Sequence, residues 1–482
     1  MSPCPGEPMP VVARSIPIPI GVRSVSLSPR ILLMIIALAA ARSADAQDGS
    51  AAAGQEAGAA ANQASTAVPE VIPAATLPTV PVPQEVPPVA VVAPGCLEEI
   101  LAQQQKTRTL RDMRNPLARP KKEDFDKLKR DYERLLKNGF GVSEVKKVQD
   151  VLAYIILQAT DPNFVLNPAD MQGLLQDVEN DIARSGSGIG NAANQRTARR
   201  NFCTEVLTVS KQLLDNNLDS RMAAVNIMRM LYEVNPPAAA GKPILLKEAL
   251  TALLAVMADK EQPDSVKVAT ANSLRNVLKN CDVVEQDQYL ICDAIGAQLA
   301  RPCCEAAYQM VLLDVLFYIS KARRSVGAPE PTALLHFAAV LNDKTRPIEV
   351  RCHAALGGGR AAYDNGVNFD PWAYKIARLT IETGVAFTQA NDGHPKWQSC
   401  GGDLFFAFRP WDKTELDRGL MNRAPRSALV AGAAPLVLKT APIIVQNGNG
   451  IPLPDLQAIK TWADANTPTN LKWDANAPPF DP

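Results

Sequence analysis

Histidine is scarce in this chain, and the common catalytic and metal-binding motifs are missing from it. The 482 residues include three histidines. No Cys-x-x-Cys, Gly-x-Ser-x-Gly, His-Glu-x-x-His or Walker-type loop occurs, which removes the usual signatures of zinc ribbons, serine hydrolases, zinc proteases and nucleotide-binding loops. The Cys352-His353 pair lacks the upstream cysteine that attaches a covalent haem. The sequence therefore predicts no cofactor.

An excess of charge of either sign is also missing. Lysine plus arginine number 50, and so do aspartate plus glutamate. Nucleic-acid affinity rests on clustered basic side chains that neutralise phosphates, so this balance argues against a nucleic-acid partner. Hydrophobic residues make up 47% of the chain, which is enough apolar material for a large folded core.

Residues 1–46 have the pattern of a secretory signal peptide. An apolar run from Ile31 to Ala41 follows an arginine-containing leader, and Ala44-Asp45-Ala46 supplies small residues for cleavage before Gln47. The run is shorter than the ~20 residues of a spanning helix, and we expect no later stretch long enough to cross a membrane. The sequence thus predicts a secreted or periplasmic protein with no transmembrane segment after cleavage. The alternative is an uncleaved signal anchor.

Residues 47–95 differ in composition from the rest of the chain. They contain no Lys, Arg or Tyr, and they have eight prolines among Ala, Val, Gly, Gln and Thr. Such a segment cannot bury enough side chain to offset the entropy lost on ordering, so we expect a disordered arm. The arm is either a simple spacer or a tether that extends the reach of the folded part.

A pattern of paired helices repeats about every 39 to 46 residues between Arg196 and Tyr363. Each unit has a helix-forming run, a short polar turn and a second helix opened by Pro, Asp or Ser, as at 262–267 and 346–351. The predicted pairs are 197–214 with 220–234, 243–259 with 264–280, 287–299 with 302–321, and 331–341 with 347–363. Pairs of this size have an apolar face that is buried only by stacking on neighbours.

The second helices share further features. A Val-Lys or Val-Arg pair lies near the start, and small residues follow it, as at Thr270-Ala271 and Ala354-Ala355. In these features the chain is similar to HEAT or armadillo-type repeats, which implies an all-α superhelix (an α-solenoid) and, by analogy, a binding scaffold. The candidate binding residues form a ridge along the second helices: Arg221, Asn226, Arg229, Lys267, Asn272, Arg275 and Arg351. Alternatively, these side chains satisfy backbone groups between stacked units.

Two helical regions flank the repeats, which we place at 196–370. In 96–195, apolar residues recur at helical spacing, and a Gly-x-Gly-x-Gly string between helices predicts a loop instead of a phosphate site. All five tryptophans lie in 371–482, which predicts a mainly helical module that caps the end of the array. The triple glycine 357–359 follows a helix, the wrong end of the helix dipole for an anion, and so predicts close packing or helix termination.

Nine cysteines become eight once Cys4 leaves with the signal peptide. An even number fits an oxidising compartment. The order of the helices places Cys281 near Cys292, and Cys303 or Cys304 near Cys352. Each pairing is a candidate disulfide, and buried free thiols are the alternative.

These features together predict an exported, non-enzymatic helical-repeat scaffold that binds a protein or another cell-surface macromolecule. Two alternatives place the function in the C-terminal module. One is an extracytoplasmic hydrolase that uses Asp403, Asp412 or His394, and the other is carbohydrate binding by exposed tryptophans. We expect His394 to be a loop histidine and not a metal ligand shared with Cys400.

Overall fold

The computed structural model describes residues 110–114, 122–234, 241–301, 305–325, 327, 329–390, 392–411, 416–446 and 450–481. The expected leader and arm lie outside these residues, as do Cys303, Cys304 and Asp412. The helices of the described part are α1 (Lys122–Asn138), α2 (Val145–Ile156), α3 (Pro162–Val165), α4 (Pro168–Arg184), α5 (Ala192–Lys211), α6 (Leu218–Met228), α7 (Lys247–Ala258), α8 (Asp264–Asn280), α9 (Glu285–Leu299), α10 (Ala306–Leu316), α11 (Thr332–Asn342), α12 (Ile348–Arg360), α13 (Asp370–Ala390), α14 (Pro395–Phe408), α15 (Leu420–Arg423), α16 (Ala428–Val445) and α17 (Leu453–Ala465). The strands are β1 (Tyr232–Val234) and β2 (Ile244–Leu245).

Short polar side chains and prolines set the first residues of many helices. Asn167, Asn191 and Asn217 each precede a helix and accept hydrogen bonds from backbone N–H groups in its first turn. These bonds satisfy donors that have no partner inside the helix. Pro263 and Pro347 directly precede α8 and α12 in an extended conformation. The second helices that begin at these prolines therefore start where the sequence predicts.

The predicted helix 220–234 is wrong at its C-terminal end. Helix α6 ends at Met228, and β1 follows it and pairs antiparallel with β2. The aromatic and β-branched residues of β1 favour a strand. Pro236 and Pro237 follow soon afterwards, and proline disfavours a helix in the residue before it.

The helices of the repeat region lie in two rows. The second helices α6, α8, α10 and α12 pack side by side, and α14 and α16 extend this second-helix row. The first helices α7, α9 and α11 form the other row, and each contacts the second helix that follows it. The expectation of a helical protein with many packed helices is confirmed. The second-helix row continues past the expected boundary between residues 370 and 371.

A large hydrophobic core runs through the described residues from Tyr132 to Phe480, and a smaller cluster around Phe387 and Trp397 lies beside it. At its C-terminal end Trp372 packs edge-on against Trp473, with ring centroids 5.4 Å apart, and against Phe480 at 5.0 Å. The ammonium group of Lys375 in α13 donates to the carbonyl oxygen of Asp481 at 2.9 Å, and burial lowers the pKa of this lysine to about 8. The last residues of the chain are therefore part of the packed structure.

Helix α12 approaches its neighbours most closely at the triple glycine 357–359. A Cβ atom added at each glycine in turn would meet the Phe337 ring of α11 at 2.2 Å, the Trp372 indole of α13 at 2.5 Å and the Ala407 carbonyl oxygen of α14 at 2.2 Å. Each glycine lets a different helix approach. Close packing is therefore the correct interpretation of the triplet, because α12 continues to Arg360.

Helix α16 has the length and composition of a membrane-spanning helix. Its 18 residues have a mean hydropathy of 1.9, so the expectation that no later stretch is long enough to cross a membrane is wrong on these two criteria. The helix packs against α13, α14 and α17. Its Lys439 pairs with Asp455 of α17 at 2.7 Å. The surrounding protein buries 39% of the helix, and its length and composition alone do not assign it to a membrane.

We expect Gly359→Ala to lower the free energy of unfolding by about 1–3 kcal/mol or more. The new methyl group would meet the backbone of α14, which cannot rotate away as a side chain can. The matched control is Gly173 in α4, where an added Cβ atom meets nothing within 4 Å. Gly173→Ala should raise stability by up to about 1 kcal/mol through helix propensity. Denaturant unfolding measures both variants, and equal stabilities would contradict the close packing of α12 on α14.

Candidate functional site: a buried charge ladder and an open groove

The residues of the predicted binding ridge do not form an exposed surface. Arg221, Lys267 and Arg351 keep only 5%, 2% and 5% of their surface accessible. The other four are half-buried: Asn226, Arg229, Asn272 and Arg275. A partner could reach little of this ridge without moving the helices that cover it.

Arg221 shows what such buried polar side chains do. Its Nε–H donates to the carbonyl oxygen of Asn216 at 2.6 Å, and its Nη1 donates to Oε1 of Gln262 at 2.9 Å. Gln262 in turn donates to the carbonyl oxygen of Leu214 at 3.0 Å. These bonds join the turn of one helix pair to the turn of the next. The interpretation that ridge residues satisfy polar groups between stacked units therefore holds for Arg221.

Arg351 and Arg275 also have partners on other helices. Arg351 donates from Nη1 to Oε2 of Glu382 in α13 at 2.7 Å. Arg275 donates from Nη1 to Oδ2 of Asp314 in α10 at 3.1 Å. Replacing the ridge residues Arg229 and Arg275 together would be a simple test of binding at the ridge. Such a variant would also lose the contact of Arg275 with Asp314, so a loss of binding would not by itself identify the ridge as the binding surface.

Four charged side chains on successive helices of the second-helix row form a continuous chain of contacts, called here the charge ladder. Its first contact joins Arg275 on α8 to Asp314 on α10. His353 on α12 then places Nε2 3.0 Å from Oδ1 of Asp314 and Nδ1 2.9 Å from Oδ2 of Asp403 on α14. The ladder thus crosses four helices with alternating charge.

The two carboxylates beside His353 favour the protonated form of its imidazole at neutral pH. Burial of the ring by itself lowers the pKa, but the carboxylates of Asp403 and Asp314 outweigh burial and raise it to about 10. Both ring N–H groups then donate to carboxylates, and two positive groups balance two negative ones. Isolated buried ions are costly, whereas paired and hydrogen-bonded ions are tolerated.

Only part of the ladder is visible in the sequence. The 39-residue spacing from Arg275 to Asp314 and from Asp314 to His353 lies within the repeat range, but these residues fall 11, 8 and 5 residues after the first residues of α8, α10 and α12 and are not at equivalent helix positions. Aligning the first two units finds Arg275, because arginine recurs there. It misses Asp314, His353 and Asp403, because the charge alternates along the row and the residue type does not recur.

The hydrolase alternative has no assembled acid–base pair of His394 and Asp403. His394 lies at the start of α14 and accepts a hydrogen bond from the backbone N–H of Lys396 at 3.1 Å. Asp403 is nine positions further along, roughly 13 Å at 1.5 Å per residue, and it contacts His353. Among the described residues, no group of three or more His, Cys, Asp or Glu side chains is arranged to hold a metal ion.

Most of the tryptophans belong to the core. Three of them are buried: Trp372, Trp397 and Trp473. Trp462 is half-buried, and Trp411 keeps 49% of its surface exposed. Trp411 stacks on Phe406 with centroids 5.5 Å apart, and the Arg360 guanidinium lies 4.8 Å from its centroid. Carbohydrate binding by an exposed tryptophan would therefore depend mainly on Trp411.

The described cysteines are buried free thiols: Cys203, Cys281, Cys292, Cys352 and Cys400. The expected bond between Cys281 and Cys292 is not formed in this structure. Burial raises the pKa of these thiols to about 11 and about 12, which disfavours the thiolate needed for disulfide exchange. Pairing of Cys352 with Cys303 or Cys304 stays a prediction, because the latter two lie outside the described residues.

A groove of about 770 Å³ opens beside the first two repeat units. Its apolar lining consists of Leu214, Ala252, Ala255 and Val256. Its charged lining carries both signs: Arg111, Lys211, Arg221, Asp215, Asp259 and Glu261. The volume lies within the range of ligand-binding clefts in proteins. Sequence reasoning missed this groove, because its walls come from separate units.

Segment 110–114 borders the groove. The N–H of Arg111 donates to Oδ1 of Asn216 at 3.0 Å, and its carbonyl oxygen accepts from Nδ2 of the same asparagine at 2.8 Å. The Arg111 guanidinium pairs with Asp215 at 2.8 Å. Two rim groups of opposite charge are therefore held side by side.

The chain matches no known family model, no curated protein and no solved structure. Its function must therefore be inferred from the ladder, the groove and the packing around them.

We expect the free energy of unfolding to fall as rising pH removes the proton from the His353 imidazolium. Its pKa in the folded state, about 10, lies above the ordinary value of 6.5. The stabilisation of the folded state by the ladder is therefore fully present below pH 6.5, and it is lost as pH rises through about 10. The difference in unfolding free energy between the wild type and His353→Gln should shrink by up to about 1.4 kcal/mol per pH unit in this window.

Using the difference between the two proteins cancels the contribution of Lys375 and of other groups that titrate in the same range. Asp403→Asn removes one of the two carboxylates that raise the pKa of His353, so in this variant the loss of stability should be complete at a lower pH. If His353→Gln does not fold, proton NMR of the wild-type imidazole serves instead. An imidazole that titrates below pH 7 would contradict the charged ladder.

Proposed function

We propose that this chain is an exported helical-repeat scaffold that binds an extended peptide segment of a protein partner in the groove. The observation that carries the proposal is the groove itself, an open cleft with an apolar floor and a rim of both charge signs. Apolar floors accept peptide side chains, and rim groups pair with polar and charged groups of the ligand. A rim of mixed sign does not suit a polyanion such as nucleic acid.

The finer fold that we propose is a HEAT-like α-solenoid. The two rows of helices support it, because stacked helix pairs produce such rows. The groove also fits this architecture. It is lined by the turn before α6 and by α7 with the turn that follows it, so successive units supply its two sides.

Binding, and not catalysis, is the role proposed for the groove. Its lining includes three carboxylates but no histidine or cysteine, and Asp215 is paired with Arg111. Fixed charges of both signs are better suited to orienting a ligand.

We expect Ala255→Trp to block peptide binding. Ala255 is an exposed groove residue on α7, so an indole there would fill the cleft without disturbing the core. Linear peptides selected from a random phage-displayed library on the full-length protein are the probe, and calorimetry measures their affinity. The variant should weaken binding at least about tenfold, because loss of a well-filled pocket is worth more than 1.4 kcal/mol.

The matched control is Ala258→Trp, which adds the same side chain to an exposed position of the same helix outside the groove lining. It should leave the affinity unchanged. Equal affinity of both variants and the wild type would exclude the groove as the binding site. Binding of glycans, measured separately and lost in Trp411→Ala, would favour the carbohydrate alternative.

The proposed export depends on the leader, and we expect the protein from its native host to begin at Gln47. Intact-mass measurement of the secreted or periplasmic fraction checks this. Ala46→Phe should block the cleavage, because signal peptidase needs a small residue at that position. Mature protein that retains residues 1–46 would contradict export by a cleaved signal.

A further inference from the structure

Two cysteines far apart in sequence meet in the second-helix row. Cys352 on α12 and Cys400 on α14 are both fully buried, and their thiols are within hydrogen-bonding distance of each other. The thiol of Cys352 also lies 3.5 Å from the hydroxyl of Thr383 on α13. The pair therefore sits where three helices meet.

The packing around the two thiols fixes the register of the helices that carry them. His353, next to Cys352, contacts Asp403, three residues beyond Cys400, at 2.9 Å. Further along, the triple glycine brings the α12 backbone against the α14 backbone. Disulfides form between Cα atoms only about 4.4–6.8 Å apart, and helices held this closely can meet that requirement.

We infer that Cys352 and Cys400 form a disulfide between α12 and α14 when the chain folds in the presence of oxidised glutathione or a comparable small disulfide. One cysteine thiolate attacks the glutathione disulfide and releases one glutathione thiolate, which leaves a mixed disulfide. The second cysteine thiolate then attacks the protein sulfur of that mixed disulfide and releases the other glutathione. One sulfur–sulfur bond is lost and one is gained, the two cysteines lose two electrons and two protons, and two glutathione thiols result.

The exchange has to take place before α14 docks completely. In the folded protein, the hydrogen bond with Cys352 and burial both raise the pKa of the Cys400 thiol, and thiolates are the reactive species. Once formed, the same burial would shield the bond from reductants. The bond differs from the pairings expected from sequence, since Cys352 was assigned to Cys303 or Cys304.

The test uses the full-length chain, reduced in denaturant and refolded in a buffer of reduced and oxidised glutathione. Free thiols are alkylated in denaturant, and the protein is digested with trypsin without reduction. Cys352 and Cys400 are the single cysteines of peptides 352–360 and 397–413. We expect these two peptides as one linked species, lighter than their sum by the mass of two hydrogen atoms.

Two controls complete the test. Cys400→Ala should abolish the linked species and leave the thiol of Cys352 free, whereas Cys203→Ala, which removes another buried cysteine, should leave the linkage intact. The oxidised wild type should melt roughly 5 °C or more above Cys400→Ala refolded under the same conditions. Both peptides alkylated in the refolded wild type, or 352–360 linked to peptide 280–321, which carries Cys303 and Cys304, would overturn the inference. The oxidant is supplied in the experiment, so the result does not depend on the proposed export.

Discussion

The structure depends on the burial of helix α12, which has packed helices on every side. Residues 350–359 are buried without exception, and α12 contacts α10, α11, α13 and α14. A helix in this position cannot direct polar side chains to water, and a Cβ atom has no room where a neighbouring backbone comes close. The triple glycine has no Cβ atoms and so permits the close approach. His353 is buried, but each of its ring nitrogens has a carboxylate partner.

The charge ladder connects α12 to the other second helices of the row. Removing one partner of a buried ion pair commonly costs more than the pair contributes, because it leaves an uncompensated charge. The four charges therefore favour the register of α8, α10, α12 and α14 in which every member has a partner of opposite charge. Because the last of these helices belongs to the C-terminal region, the ladder also joins that region to the repeats.

Because the ridge is buried, the surface that is open to a partner lies in the spaces between units. The polar residues of the second helices mostly bond to other parts of the same chain, as Arg221 does with Gln262. Open surface with converging polar and apolar groups occurs instead where the turns of neighbouring units separate. The groove beside α7 is such a place, and this is why we assign binding to it and a structural role to the ridge.

Local features of the sequence were enough to determine the helical class and most helix positions. The prolines before α8 and α12 and the apolar spacing of each pair act within a few residues, so the second helix 264–280 was predicted at its observed bounds. Where local preferences conflict, as between α6 and β1, the sequence alone was insufficient. The arginine at position 275 was identified from the repeat, but its partner was not, because an ion pair depends on which helices become neighbours.

Contacts between helices decided the rest. The meeting of His353 with Asp403, and of Cys352 with Cys400, spans a connection that does not follow the repeat length, so no periodicity predicts it. The groove exists only because two units supply its walls. The sequence by itself determined which segments become helices and that they must stack, because short-range hydrogen bonding and apolar spacing are local. Tertiary structure alone decided which side chains are buried together, because burial and charge pairing depend on distances between residues remote in sequence.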